Sequence, residues 1–319
     1  MTATAGRVLS IDGPIISTAE LARQRELFET VIGMQCIAER QLDRDEVAAF
    51  FGCEADSARL LQLVTPGTSI GVWLVQFEPV STITIREGGV GVACNALKMI
   101  DFFTANRPEA IARLRRHGFE LVSEGAAIDL PDGTKYLEAH AKGPDGVMIA
   151  AIEPLTGRAA DFVTLADRTF SEVQSSSGPV GDFEPVRDFY EQVLGVPMGL
   201  QYEFESESFS RMVGVQQTLR IRANNYGRVV EDVMLGIIHY GLPPGTYEDL
   251  RARARPPHRG IIGVRLSVAG LDTILARCTD AGIEMPCAPV SMPFAASGTL
   301  RAAAVRAPHG VWHWLIESG

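Results

Sequence analysis

Phe28-Glu29-Thr30-Val31-Ile32-Gly33 returns 162 residues later as Tyr190-Glu191-Gln192-Val193-Leu194-Gly195, and this repeat decides the fold. Phe51-Gly52-Cys53 is matched by Val213-Gly214-Val215, and Leu114-Arg115-Arg116-His117-Gly118-Phe119-Glu120 by Cys278-Thr279-Asp280-Ala281-Gly282-Ile283-Glu284. Gly143-Pro144-Asp145-Gly146-Val147 is matched by Ala307-Pro308-His309-Gly310-Val311. The offset drifts by only two residues over the whole length. Two homologous halves follow, duplicated as whole units.

Each half divides again into two units of the same order: a short strand, an amphipathic helix, then several strands. The first unit reads as a strand over 6–16, then a helix with Ser17 or Thr18 as cap and Gly33 as stop, then strands over 58–64 and 70–77. In the second, a strand over 97–104 precedes a helix over 108–117 with Pro108 in its first turn and Gly118 beyond its end. A hairpin turn at 129–134 and a last strand over 147–152 complete it. The second half repeats the plan, with helices over 183–194 and 270–281 and last strands over 231–240 and 311–316. The expected fold class is α+β, four βαβββ modules in two tandem domains: 1–154 (modules 6–80 and 92–154) and 170–319 (modules 170–243 and 258–319), with 155–169 as linker.

At 319 residues and 46% hydrophobic, the chain can bury two cores of roughly 150 residues each. Its 29 basic and 39 acidic residues give a net charge of -10, which excludes the basic stripe a nucleic-acid partner needs. The longest apolar runs, 70–77 and 233–238, fall far short of the roughly 20 residues that cross a bilayer. No basic-then-apolar leader is seen at the N-terminus, so a cytoplasmic location is the expectation. The five cysteines, Cys36, Cys53, Cys94, Cys278 and Cys287, are widely spaced with no C-x-x-C pair, and read as reduced and structural.

The helix end Phe189-Tyr190-Glu191-Gln192-Val193-Leu194-Gly195, the turns Pro144-Asp145-Gly146 and Pro308-His309-Gly310 before a last apolar strand, and Leu114-Arg115-Arg116-His117-Gly118-Phe119-Glu120 resemble the vicinal oxygen chelate superfamily. That superfamily includes glyoxalase I, bleomycin-resistance proteins, methylmalonyl-CoA epimerase and extradiol dioxygenases. The resemblance implies that paired modules curl their sheets into cups. It also implies His, Gln or Glu on the first and last strand of each module, holding a divalent ion with open positions. Those positions fall at about Gly13, Trp73, Met99 and Ala150 in the first half and Ser175, Gly236, Gly263 and Trp314 in the second. None is a ligand of that type, and the neighbouring Asp12, Asp101 and His239 are too few to rebuild a three-ligand site, so no metal and no cofactor are expected.

Trp73 and Met99 are bulky enough to plug the first cup, whereas Ser175, Gly236 and Gly263 leave volume in the second. Strand alternation adds Arg265, Trp312 and Trp314 and Tyr240 to that second wall, a setting for a flat or aromatic anion. Arg265 has a plainer role as a salt-bridged strand residue. Beside Tyr240, His239 is a candidate acid or base, although alternation turns it away from the face of Gly236. His309 and His313 are four apart on a turn and strand, so roughly 13 Å separates them and they cannot share an ion. In the first half Lys98 and Asp101 are the polar candidates, with Asp101 as base or as an ordinary hydrogen-bond partner. Arg220 and Arg222 share one strand face, ordinarily solvent or an interface. Gly88-Gly89-Val90-Gly91 lacks the features of a phosphate loop.

Three functions compete: a metal-independent lyase or isomerase acting on a small aromatic or acidic metabolite, a non-catalytic binding protein of the bleomycin-resistance kind, and a metal-dependent dioxygenase or glyoxalase. The expected partner is a small molecule. Nucleic acid and membrane are excluded, and a homodimer is allowed.

Overall fold

The computed structural model describes residues 6–87, 91–156, 168–229, 231–294 and 298–318. Most of the expected linker and Gly88-Gly89-Val90 lie outside them. Module 1 comprises β1 (Arg7–Ser17), α1 (Leu21–Arg25), β2 (Gln35–Asp43), α2 (Arg44–Phe51), β3 (Ser57–Val64) and β4 (Gly71–Glu78). Module 2 comprises β5 (Met99–Phe103), α3 (Arg107–Arg116), β6 (Glu120–Asp129), β7 (Lys135–Lys142) and β8 (Met148–Pro154). In module 3, β9 (Val173–Pro179), α4 (Glu184–Asp188), β10 (Met198–Ser206), α5 (Glu207–Met212), β11 (Leu219–Tyr226) and β12 (Met234–His239) follow one another. Module 4 holds β13 (Gly260–Ala269), α6 (Leu271–Asp280), β14 (Val290–Phe294), β15 (Gly298–Arg306) and β16 (Trp312–Ser318).

The repeated sequence produces a repeated local structure. Both α1 and α4 loosen into a π-helical stretch, Glu26–Ile32 and Phe189–Leu194, which ends on Gly33 at φ 93° and Gly195 at φ 68°. Only glycine enters that left-handed conformation without a Cβ clash, so the glycine fixes where each helix stops. Thr18 does not cap α1; its Oγ1 accepts from the N–H of Glu20, the N-cap residue, which makes no side-chain cap itself. Asn106 caps α3 by accepting from Glu109 N, and Asp43 with Glu46 forms a reciprocal capping box on α2.

Two eight-stranded sheets result, and neither belongs to one half of the chain. The first runs β14-β15-β16-β13-β1-β4-β3-β2 and the second β10-β11-β12-β9-β5-β8-β7-β6. Module 1 therefore pairs with module 4 through β1 and β13, and module 2 with module 3 through β5 and β9, both antiparallel. The convex faces of both sheets and the longer helices share one continuous core, with Phe28, Leu74, Phe102, Ile149, Phe189, Leu235 and Leu315 all buried. No helix among the described residues is long and apolar enough to cross a membrane.

Candidate functional site

The two concave faces differ in kind. The module 1–4 cup is filled. Trp314 is fully buried among Trp312, Phe50 and Phe51, at ring-centroid distances of 5.6, 6.3 and 5.7 Å, and its Nε1 donates to Phe50 O at 2.9 Å. Trp73 packs on Phe50 at 6.2 Å. Each such ring, buried, stabilises the fold by roughly 1.5–3 kcal/mol, so this cup is packed as a core. A Cβ on Gly263 would lie 2.2 Å from Trp312 O and 2.6 Å from the Trp314 ring. The glycine permits close packing rather than opening a void.

Arg265 serves the same core. Its guanidinium sits 4.6 Å from the Trp73 ring centroid and donates to Asp12 O at 3.1 Å and Gly71 O at 3.0 Å. Burial lowers its pKa to about 10. The expected single pocket with Arg265 as anion holder and Trp312, Trp314 and Tyr240 as walls is not formed. Arg265, Trp312, Trp314 and Gly263 stand in the filled cup; Tyr240, Ser175, Gly236 and Asp101 stand in the other. Met99, expected to plug, lines the open one, and Trp73 alone of that pair fills a cup.

The module 2–3 cup encloses a cavity of about 210 Å³. Its mouth is narrowed by α5, which packs on β6 through Phe209 and Met212 against Ala126 and Ile128. Most of the wall is apolar or aromatic, including Phe103, Phe204, Tyr202 and Tyr240. Into it project a few polar groups from neighbouring strands: Lys98 and Asp101 at β5, Ser175 and Ser177 on β9, and Tyr136, Glu138 and His140 on β7. Gly236 lies on this wall too, since a Cβ there would meet Ser177 Cβ at 2.7 Å and Asn225 Oδ1 at 2.9 Å. His239 is not part of the lining; its Nδ1 accepts from Gly241 N on the opposite face.

Asp101 is one of three buried carboxyls of this wall, with Glu138 and Asp232. Ser175 Oγ donates to its Oδ2, while Oδ1 has no partner within hydrogen-bond geometry. Desolvation first, then the nearby Glu138 charge, raise its pKa to about 7 against the pull of the serine hydroxyls. Lys98 is equally buried, and among the described residues its Nζ donates to Gly91 O alone, at 3.3 Å. Desolvation and the Arg86 guanidinium bring its amine down to about 7, with Glu138 opposing. His140 Nε2 and Glu138 Oε1 lie 2.6 Å apart, both residues buried. Burial raises the phenols of Tyr202 and Tyr240, so both are hydrogen-bond donors rather than anions.

Glu138 and His140 were missed in the sequence. The signal is Tyr136-x-Glu138-x-His140 against Leu137-x-Ala139-x-Ala141, a period-two strand whose polar face reads as solvent. The cup turns that face inward.

A divalent ion of the kind the fold suggests does not fit. At the corresponding strand positions stand Gly13, Trp73, Gly263 and Trp314 in one cup and Met99, Ala150, Ser175 and Gly236 in the other. Among the described residues no three His, Cys, Asp or Glu side chains converge on one point.

No protein-family model matches the chain, and no curated protein matches it. Solved structures do. The chain is similar to glyoxalase I from Zea mays, at 14% identity and a TM-score of 0.61, covering 98% of this chain and 92% of that one. It is likewise similar to a putative dioxygenase from Bacillus subtilis, at 13% identity and a TM-score of 0.55, covering 98% and 86%. At such identity the likeness concerns backbone architecture, and it spans both sheets and all four modules. The chain shares the α+β backbone fold of these two solved structures over nearly its whole length.

Proposed function

We propose that the module 2–3 cup is a catalytic pocket that moves a proton on a small molecule with an aromatic or apolar body and a carbonyl or carboxylate oxygen, without a metal, as a lyase or isomerase does. The observation that carries this reading is Asp101, a buried carboxyl poised near neutrality with one unpaired oxygen in an apolar cavity. A general base or acid works best when its pKa lies near the working pH, and burial is the physical route to that value. His140, oriented by Glu138, is a second proton carrier on the facing strand. Lys98 and the phenols of Tyr202 and Tyr240 supply donors for the substrate oxygen.

Acetophenone in deuterium oxide tests the reading, because its methyl hydrogens exchange slowly without a catalyst and proton NMR counts them. The protein is expected to accelerate exchange, and Asp101→Asn and His140→Gln are each expected to remove most of the acceleration. No acceleration by the intact protein would sink it. The largely apolar wall favours one other reading, a binding protein without chemistry, whose signature is tight binding of an aromatic ligand with no exchange.

A further inference from the structure

Of the 29 basic residues only three are lysines, Lys98, Lys135 and Lys142; the other 26 are arginines. Lys135 is half exposed and paired with Asp129. Lys98 is 3% exposed, lines the cavity, and has no carboxylate partner among the described ion pairs. In a chain that uses arginine wherever a fixed positive charge is needed, a buried amine facing a pocket calls for a different explanation. An arginine keeps its charge and is no nucleophile; a lysine that sheds its proton is one.

Two features favour the free amine here. The wall is apolar, which penalises the ammonium form. Arg86 lies close by, its guanidinium held by the main-chain oxygens of Leu97, Ala93 and Ala96, and so adds a fixed positive charge beside Lys98. Burial and this neighbour together place the amine near neutrality, and a desolvated lysine next to a cation is the arrangement that activates an amine toward carbonyl carbon.

We infer that Lys98 is a nucleophile that forms an imine with a small aromatic aldehyde or ketone bound in the module 2–3 cup. The nitrogen lone pair attacks the carbonyl carbon; a C–N bond forms, the carbonyl π pair moves to oxygen, and a proton passes from the nitrogen to that oxygen, giving a carbinolamine. The C–O bond then breaks with a proton from the Asp101 carboxyl, and water leaves. Asp101 is left as the carboxylate beside a protonated imine, so the carbonyl compound, the amine and the carboxyl proton become iminium, carboxylate and water with no oxidant or reductant. The protonated imine withdraws electrons from the adjacent carbon, whose hydrogen is then easier to remove. This inference rests on the proton-transfer reading of the same cavity and adds the group that activates the substrate.

Benzaldehyde with sodium cyanoborohydride, followed by peptide mass mapping of the full chain, tests it. Hydride reduces the imine to a stable benzyl amine. At pH 7.5 the free-amine fraction favours Lys98 over an ordinary lysine by several hundredfold, so labelling of Lys98 on the order of a hundredfold faster than Lys135 is expected. Lys98→Met should lose that adduct and keep the slow background at Lys135. Labelling of Lys98 no faster than Lys135 would overturn the inference. Benzaldehyde carries no hydrogen on the carbon beside its carbonyl, so trapping is independent of proton transfer. A Lys98 adduct without acetophenone exchange upholds the imine and sinks the proton-transfer reading; exchange without an adduct does the reverse.

Discussion

Asp101→Asn should make the protein more stable at pH 8 and leave it nearly unchanged at pH 4. In the folded chain the Asp101 carboxyl titrates near 7, raised by desolvation and by Glu138, against 3.8 for an ordinary aspartate. Between those values the folded state holds a proton that the unfolded state has lost, so stability falls as pH rises through this window. Below it both states are protonated and no cost is felt; above it the full cost of a buried carboxylate remains. A rise from 3.8 to about 7 corresponds to about 4 kcal/mol at most, and water entering the cavity reduces it, so a gain of roughly 2–4 kcal/mol for the asparagine at pH 8 is expected. Asparagine keeps an oxygen for Ser175 Oγ, so the contact to β9 survives. The assay is urea unfolding of both proteins at pH 4, 6 and 8, read as the difference between them, which cancels every other titrating group. A difference that stays within about 0.5 kcal/mol across the three pH values would refute the buried, raised carboxyl and remove the basis of the proposed chemistry.

Acetophenone exchange, if Asp101 is the base, should rise with pH and level off above about 7, and a rate flat from pH 5 to 9 would exclude it. Trp314→Ala should cost roughly 3–5 kcal/mol, because it empties the centre of the filled cup and frees Phe50 O, while binding in the other cup persists; chemical unfolding and ligand titration measure both. Burial brings His313 down to about 3, so the unfolded chain takes up a proton first and stability falls as pH drops from about 6.5. His313→Gln, which can still meet Tyr190 OH, should reduce that loss between pH 8 and pH 5, seen as a smaller shift in the urea midpoint.

The repeat was legible because it is written in residues with strong local meaning. Gly33 and Gly195 end helices through their own φ angles, and Pro108 opens one. The apolar strands β4, β8, β12 and β16 stood out for the same reason, each carrying a run of three or more buried residues. The outer strands were not read. β2, Gln35–Asp43, alternates exposed and half-buried residues at a sheet edge, and β7 places Glu138 and His140 on a face that looks solvated. Burial, not pattern, makes those two residues candidates.

From the sequence alone came four βαβββ modules, the expectation that no metal-ligand set is present, and the prospect of one filled and one open cup. The tertiary structure decided which modules share a cup. First strands of all four modules are able to pair antiparallel with one another, so local pattern does not choose among partners. The choice is made by contacts between residues some 250 positions apart, such as Ile15 opposite Gly263 on β1 and β13. That pairing gathers Trp73, Trp312 and Trp314 in one cup and leaves Asp101, Lys98, Glu138 and His140 around the cavity of the other.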